Sequence, residues 1–169
     1  MFKKYFGLLV VVMSLFVSNA AFAQEEKFGI GVQFAFPAWG VSGMMDVTDK
    51  TSIQGILGLI GDLKMYAGRG IYRFRKEPYW NVYGYGMIGA WSYTGYKIGY
   101  DSNFNVEKTT ETALGFGVGV GIEYTWRAWI PELPPIFWNI EIGFGRVKFD
   151  EVDYNFSTFM IGTGVHYRF

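Results

Sequence analysis

The chain contains no cysteine, one histidine and few charged residues, with only 18% of its 169 residues being Asp, Glu, Lys or Arg. The lack of cysteine excludes disulfides, a thiolate metal site, a catalytic thiol and a lipid-modified N-terminal cysteine. Fifteen basic residues balance fifteen acidic ones, and a chain without charge excess is a poor candidate for a nucleic-acid binder or a disordered tail. We therefore expect no cofactor, no metal and no nucleic-acid partner.

Glycine and aromatic residues are abundant, with 23 Gly and 20% Phe, Trp and Tyr. Both values are far above those of an average soluble domain. The length allows one domain.

The N-terminus has the pattern of a secretory signal peptide. A short basic segment, 1–4, precedes an apolar run at 6–17, and Ala21-Phe22-Ala23 matches an A-x-A cleavage site. The run of 12 residues is shorter than the roughly 20 that a spanning helix needs, although an uncleaved N-terminal anchor is the alternative. Cleavage after Ala23 assigns 1–23 to the signal peptide and leaves one domain, 24–169.

Four segments of this domain alternate strictly between large apolar and small residues. In 112–126 the even positions are mostly large, whereas the odd positions hold four glycines. Such alternation predicts a β-strand, since each glycine in a helix costs about 1 kcal/mol relative to alanine. The same pattern recurs in 28–36, 138–145 and 159–169.

Four weaker strands complete a predicted total of eight, with no helix after residue 23. They are 39–48, 52–60, 64–74 and 79–91. Segment 52–60 is apolar on both faces, so its inward face is undetermined. Segment 79–91 sets Tyr83, Tyr85 and Met87 opposite Val82, Gly84, Gly86 and Ile88.

The composition of the two strand faces separates two kinds of barrel. A soluble, lipocalin-like barrel needs an outer face rich in charge, but the face opposite the bulky one is mostly Gly, Ala and Thr. Small residues suit a narrow lumen, and the bulky face suits hydrocarbon. Aromatic residues at the strand ends indicate two interfacial girdles. These are Trp126, Trp129, Trp138, Tyr79 and Tyr72 at one level, and Trp39, Trp91, Tyr93 and Tyr96 at the other.

The chain length is consistent with eight spanning strands. Eight strands need about 80 residues, whereas sixteen would need about 160, more than the processed chain holds. With a periplasmic N-terminus, the periplasmic turns are 48–51, 75–78 and 127–136, the last unusually long and proline-rich. The external connections are 36–39, 60–63, 93–110 and 148–154, of which 93–110 is predicted to be a long loop.

The signal peptide, the eight alternating strands and the C-terminal segment 164–169 resemble the OmpA/OmpX-like superfamily of small eight-stranded outer-membrane barrels. The resemblance implies an all-β, transmembrane, antiparallel up-and-down barrel in the cell outer membrane of a Gram-negative envelope. It also implies contact with lipid and lipopolysaccharide, and a monomer. Gly164, Tyr167 and Phe169 match the C-terminal signal that the barrel-assembly machinery reads.

Seven polar side chains are predicted to point into the lumen, and they include the single histidine. Isolated buried charges are very costly, so the ions are expected to pair. The preferred interpretation is a salt-bridged plug in a non-catalytic protein with an envelope or surface-contact role; a narrow porin-like channel or small-solute transporter is the alternative. The residues are Asp46, Arg69, Arg73, Glu123, Glu141, His166 and Arg168.

An enzyme that modifies lipid A is a third, weaker hypothesis. Members of the family with that activity need His with Ser and an acidic residue. Here Asp101-Ser102 lies in the predicted external loop, whereas His166 lies near the periplasmic C-terminus. A hydrocarbon layer about 30 Å thick separates them, which is far beyond hydrogen-bond reach.

Overall fold

The computed structural model describes residues 26–35, 38–60, 62–98, 106–149 and 155–169. The predicted signal peptide, 1–23, and the Asp101-Ser102 pair lie outside these residues. Among the described residues no helix is both long and apolar enough to cross a membrane.

Eight antiparallel strands form one closed barrel in sequence order, with the last strand paired to the first. The predicted up-and-down eight-stranded architecture is confirmed. The strands are β1 Phe28–Ala35, β2 Ala38–Asp46, β3 Thr51–Ile60, β4 Leu63–Lys76, β5 Trp80–Ile98, β6 Val106–Thr125, β7 Ile136–Lys148 and β8 Asn155–Arg168. A short 3₁₀ turn, Trp126–Ala128, follows β6.

The two ends of the barrel differ in their connections. We call the end that carries residues 28 and 169 the termini end; its connections are 47–50, 77–79 and 126–135. At the opposite end the chain passes from β1 to β2, from β3 to β4, from β5 to β6 and from β7 to β8. At the seam, Phe28 and Phe169 exchange backbone hydrogen bonds of 3.0 and 2.8 Å.

Alternation along most strands places large apolar side chains outside, as predicted. On β6, the even positions Leu114, Phe116 and Val118 are exposed. The odd positions Ala113, Gly117 and Gly121 are buried. The ambiguous strand β3 turns its even positions inward, so that Ser52, Gln54 and Ile56 are buried.

The rule that bulky faces lie outside is wrong for β5. Tyr83, Tyr85 and Met87 are buried in the lumen, and Gly84 and Gly86 lie on the outside. Glycines on neighbouring strands leave the space that these rings occupy: a Cβ atom on Gly119 would lie 2.6 Å from the Tyr85 ring, and one on Gly121 would lie 2.6 Å from the Tyr83 ring.

Two further predictions about the opposite end are corrected. Trp91 and Tyr93, predicted to lie in an interfacial girdle, turn inward instead. Trp91 is 1% exposed and Tyr93 packs against the same buried cluster, because the odd-numbered side chains of β5 face the lumen. The long loop predicted at 93–110 is mostly a β-ribbon, since β5 and β6 remain paired as far as Ile98 and Val106.

Candidate functional site

One cluster of polar side chains in the lumen is centred on Glu141 of β7. Its carboxylate accepts hydrogen bonds from Arg69 Nη2 at 2.8 Å, Tyr83 Oη at 2.5 Å and Gln33 Nε2 at 3.1 Å. Arg69 also donates to Gln54 Oε1 at 3.1 Å, and its guanidinium lies 3.9 Å from the centre of the Tyr85 ring. The side chains of Arg69 and Glu141 are each 1% exposed. This cluster therefore ties β1, β3, β4, β5 and β7 together across the lumen.

A second cluster lies nearer the termini end. Arg168 Nη2 donates to both carboxylate oxygens of Glu123, at 2.7 and 2.9 Å, and Nη1 lies 3.5 Å from Asp46 Oδ2. The other oxygen of Asp46 accepts from Arg73 Nη2 at 3.1 Å and from Ser52 Oγ at 2.6 Å. Asp46 thus joins two arginines, one on β4 and one on β8.

The charges of the two clusters balance. Each of the three arginines lies within 3.5 Å of a carboxylate, and the three carboxylates are Asp46, Glu123 and Glu141. The Nε atoms of the three arginines have no hydrogen-bond partner among the described residues, so the clusters are balanced in charge but not fully hydrogen-bonded. Removal of one partner of a buried ion pair leaves a costly lone charge.

His166 is placed beside the clusters and bonds to neutral groups. Its Nε2 atom lies 2.6 Å from Ser42 Oγ and 3.1 Å from Gln54 Nε2. A histidine within hydrogen-bond reach of a serine is the geometry of a base and its nucleophile. Both side chains are 2% exposed or less, and the pair packs among the other side chains of the lumen.

Sequence reasoning missed the neutral half of these clusters. Gln33, Ser42, Gln54, Tyr83 and Asn139 are all buried in the lumen. Their inward direction follows from strand alternation, and a search for amides and hydroxyls at inward positions would have found most of them. Tyr83 required the correct facing of β5.

Apolar side chains fill the lumen toward the opposite end. Trp91, Ile56, Val147 and Met160 are each at most 1% exposed. Phe149, at 3% exposure, packs edge-to-face on Tyr93 with ring centres 6.5 Å apart. This apolar half differs from the sequence-based expectation, in which Trp91 lies outside and mainly glycine lies within.

The space between the described side chains of the two polar clusters is small. A cavity of about 10 Å³ lies between the two clusters, bordered by Gln54, Arg73, Tyr83, Glu123 and Asn139 among others. That volume holds about one water molecule. A much larger groove, of about 880 Å³, is floored by the outward glycines Gly43, Gly55, Gly68, Gly70 and Gly86 of the barrel wall.

The remaining candidate residues lie at the C-terminus. Phe169 is 38% exposed and stacks on both Phe28 and Tyr167, each at 6.2 Å between ring centres. Gly164 faces the lumen, where a Cβ atom would lie 2.3 Å from Gln33 Oε1. A larger residue at 164 would therefore clash with the Gln33 side chain, which explains the glycine there. The described residues contain no group of three or more His, Cys, Asp or Glu side chains that could hold a metal.

No protein-family model and no curated protein sequence matches the chain. Solved structures similar to it include the Yersinia pestis outer membrane protein Ail in phospholipid bilayer nanodiscs, 19% identical over 86% of this chain and 100% of the Ail chain, with a TM-score of 0.41. Ail in complex with the heparin analogue sucrose octasulfate is 16% identical over 83% and 97% of the two chains, with a TM-score of 0.41.

Neisserial surface protein A is 14% identical to this chain over 85% of it and 95% of the other chain, with a TM-score of 0.30. Identities and TM-scores this low transfer neither a ligand nor an activity. What the barrel does has to be inferred from its own residues.

Proposed function

We propose that this chain is an integral outer-membrane protein with a side-chain plug in its lumen and a non-catalytic role in envelope structure or surface contact. The observation that carries the proposal is the inverted polarity of the barrel. Large apolar side chains cover the outside, with Leu59 73%, Ile88 73%, Leu114 81% and Ile161 72% exposed, while the three arginines, Glu123 and Glu141 are buried in the lumen. Soluble monomers rarely expose contiguous apolar patches larger than a few hundred Å².

Backbone chemistry also supports a membrane location. Within a bilayer every backbone N–H and C=O group must be satisfied internally, which leaves helices and closed barrels as the spanning structures. The closed strand order meets this requirement. β4, β5, β6, β7 and β8 have 13 to 20 residues, more than the roughly 9–11 that a tilted spanning strand needs.

Aromatic side chains at the termini end fit a membrane interface. Tyr72, Tyr79 and Trp126 are 49%, 47% and 53% exposed. Tyr and Trp are enriched where hydrocarbon meets headgroups. With the predicted signal peptide, this arrangement favours export and insertion with the termini end in the periplasm. Outer-membrane lipid and lipopolysaccharide are then the molecules in contact with the wall, and the protein is expected to be a monomer.

The filled lumen favours a plug over a channel. Conduction of an ion or solute needs a continuous path, whereas the polar half is occupied by bonded side chains and the other half by Trp91, Met160 and their neighbours. A lipid A-modifying activity is disfavoured on the same ground, since the Ser42–His166 pair lies inside this filled lumen.

Conductance of the purified, folded protein in planar lipid bilayers tests the plug. We expect no steady single-channel openings at moderate voltage, because side chains fill the lumen over the described part of the barrel. A general porin recorded in the same bilayers serves as the positive control. Reproducible openings of a single size, present only with folded protein, would reject the plug and support the channel.

A further inference from the structure

A chain of side-chain hydrogen bonds runs from the ion pair at Glu141 to the single histidine. Arg69 Nη2 lies 2.8 Å from Glu141 Oε1, and Arg69 Nη1 donates to Gln54 Oε1 at 3.1 Å. Gln54 Nε2 lies 3.1 Å from His166 Nε2 and 3.3 Å from Ser42 Oγ. All five side chains are at most 3% exposed, so the direction of each bond is set by other protein groups.

The guanidinium of Arg69 fixes the orientation of the Gln54 amide. An arginine side chain has N–H donors and no acceptor, whereas an amide has an accepting oxygen and a donating NH₂ group. The oxygen of Gln54 therefore faces Arg69, and its NH₂ group faces His166. The reversed amide would set two donors against each other in a buried site, where an unsatisfied donor is costly.

The orientation of the amide in turn fixes where His166 carries its ring hydrogen. Because Nε2 of the imidazole faces a donor, it must be the accepting nitrogen, and a neutral ring then carries its hydrogen on Nδ1. The Ser42 hydroxyl lies 2.6 Å from the same Nε2 atom and donates to it, while its oxygen accepts from Gln54. This set of bonds is complete only when the ring is neutral.

We propose that Gln54 couples His166 to the Arg69–Glu141 pair as a proton-sensitive latch within the plug. A proton added to Nε2 turns that atom into a donor that faces the donating amide. The amide must then reverse or move away, and Arg69 loses the oxygen to which it is bonded. Proton uptake at one histidine is thereby transmitted to the cluster that ties β1, β3, β4, β5 and β7 together.

The charged groups near the imidazole belong to three strands and are Glu123 on β6, Arg168 on β8 and Arg69 on β4. On β2, Asp46 lies 3.5 Å from Arg168 Nη1. The positions paired with His166 on β1 and β7 are Gly31 and Phe137, which carry no charge. Each of the three lumen carboxylates is already bonded to an arginine. A proton on the ring therefore acts first on the neutral neighbours of Nε2.

The tautomer of His166 tests the latch directly, and the presence of one histidine in the chain makes its ring signals unique. Protein labelled with ¹⁵N at histidine is folded without an affinity tag into detergent micelles, and folding is checked by heat-modifiable mobility on gels. Long-range proton–nitrogen correlation spectra at neutral pH then identify the protonated ring nitrogen. We expect a hydrogen on Nδ1 and none on Nε2. A hydrogen on Nε2, or a doubly protonated ring at neutral pH, would overturn the proposal.

Two double variants separate the role of Gln54 from the general loss of an ion pair. Arg69→Met with Glu141→Leu removes the guanidinium that orients the amide, and we expect a large fraction of the rings to change to the Nε2–H tautomer. Arg168→Met with Glu123→Leu is the matched control. It removes another buried pair, at 2.7 Å, that has no hydrogen bond to Gln54 among the described side chains, and the tautomer should stay the same. An equal change in both variants, or a change in neither, would contradict the coupling.

Acidification tests the coupling in the unaltered chain. The pH is lowered until the spectra show a doubly protonated ring, and the side-chain N–H signals of Arg69, identified by their absence from the first double variant, should shift at the same pH. A doubly protonated ring with unshifted Arg69 signals would overturn the latch. The latch rests on the proposed function, because it gives the plug a response to protons, but it is read from the ring and not from conduction. Channel openings together with the expected tautomer would therefore reject the plug alone, whereas a silent barrel with the other tautomer would reject the latch alone.

Discussion

Glu141 shows how much a single lumen residue contributes to the barrel. Its carboxylate accepts from side chains on three other strands, through Arg69, Tyr83 and Gln33. A buried carboxylate that satisfies a buried guanidinium is costly to remove, because the remaining charge stays in a medium of low dielectric constant.

We therefore expect Glu141→Ala to lower the free energy of unfolding by about 3–5 kcal/mol, measured by urea titration in phospholipid vesicles. Glu77→Ala is the matched control, because its pair with Arg75 is at the surface, with side chains 37% and 63% exposed; it should cost about 0–1 kcal/mol. Equal losses in the two variants would contradict a buried network. The double variant Arg69→Met, Glu141→Leu should recover part of the loss, since it removes both charges.

At the scale of single residues, the sequence predicts which polar side chains lie in the lumen but not which of them pair. The seven polar residues were assigned to the lumen from strand parity, and Arg69, Glu141 and Arg168 all lie there with ionic partners. Which carboxylate each arginine contacts could not be predicted, because that depends on the register and stagger around the closed barrel. The Ser42–His166 contact, across strands that are far apart in sequence, was unpredictable for the same reason.

At the scale of elements, β5 packs its side chains into space that β6 and β7 leave empty. Tyr85 lies over Gly119 and Gly143, and Tyr83 lies over Gly121. The sequence shows which side chains of β5 share a face, but it does not show which of the two faces is turned into the lumen. Large residues occur on its inner face only because glycines occupy the facing positions on neighbouring strands.

This packing predicts that a glycine facing the lumen tolerates substitution by alanine less well than a glycine on the outer wall. Gly119→Ala should destabilise the barrel by about 1–3 kcal/mol through overpacking, since a Cβ atom there would lie 2.5 Å from Ile142 O and 2.6 Å from the Tyr85 ring. Gly68→Ala on the outer wall meets nothing within 4 Å and should change stability by less than about 0.5 kcal/mol. Urea titration of both variants measures the difference, and a harmless Gly119→Ala would argue against the inward facing of β5.

The C-terminal strand carries a separate prediction about assembly. If Phe169 belongs to a signal read by the assembly machinery, Phe169→Ala should reduce the amount of folded barrel in cells while spontaneous refolding in detergent stays nearly normal. Phe159→Ala in β8, whose side chain is outward and 69% exposed, is the control and should affect neither measurement. A parallel loss of refolding in detergent would mean that Phe169 acts only through its stacking on Phe28 and Tyr167.

At the scale of the whole molecule, the barrel combines an apolar wall with a lumen of two different halves. The strand number and the inward face of six strands followed from sequence, since period-two alternation is a local property; the inward face of β3 was undetermined and that of β5 was predicted wrongly. Division of the lumen into ionic clusters near the termini end and a Trp- and Met-filled half beyond is a property of the closed barrel. This division depends on contacts among side chains such as Trp91, Ile56 and Met160, which the closed barrel brings together in the lumen.

The central claim is that the apolar wall faces lipid, and the partition of the exported protein tests it most directly. After expression with the predicted signal peptide, 1–23, in a Gram-negative host, the chain should float with outer-membrane vesicles and resist extraction by urea. It should come into solution only with detergent, in which it remains folded. A folded chain recovered from the periplasm as a soluble, detergent-free monomer would contradict the account.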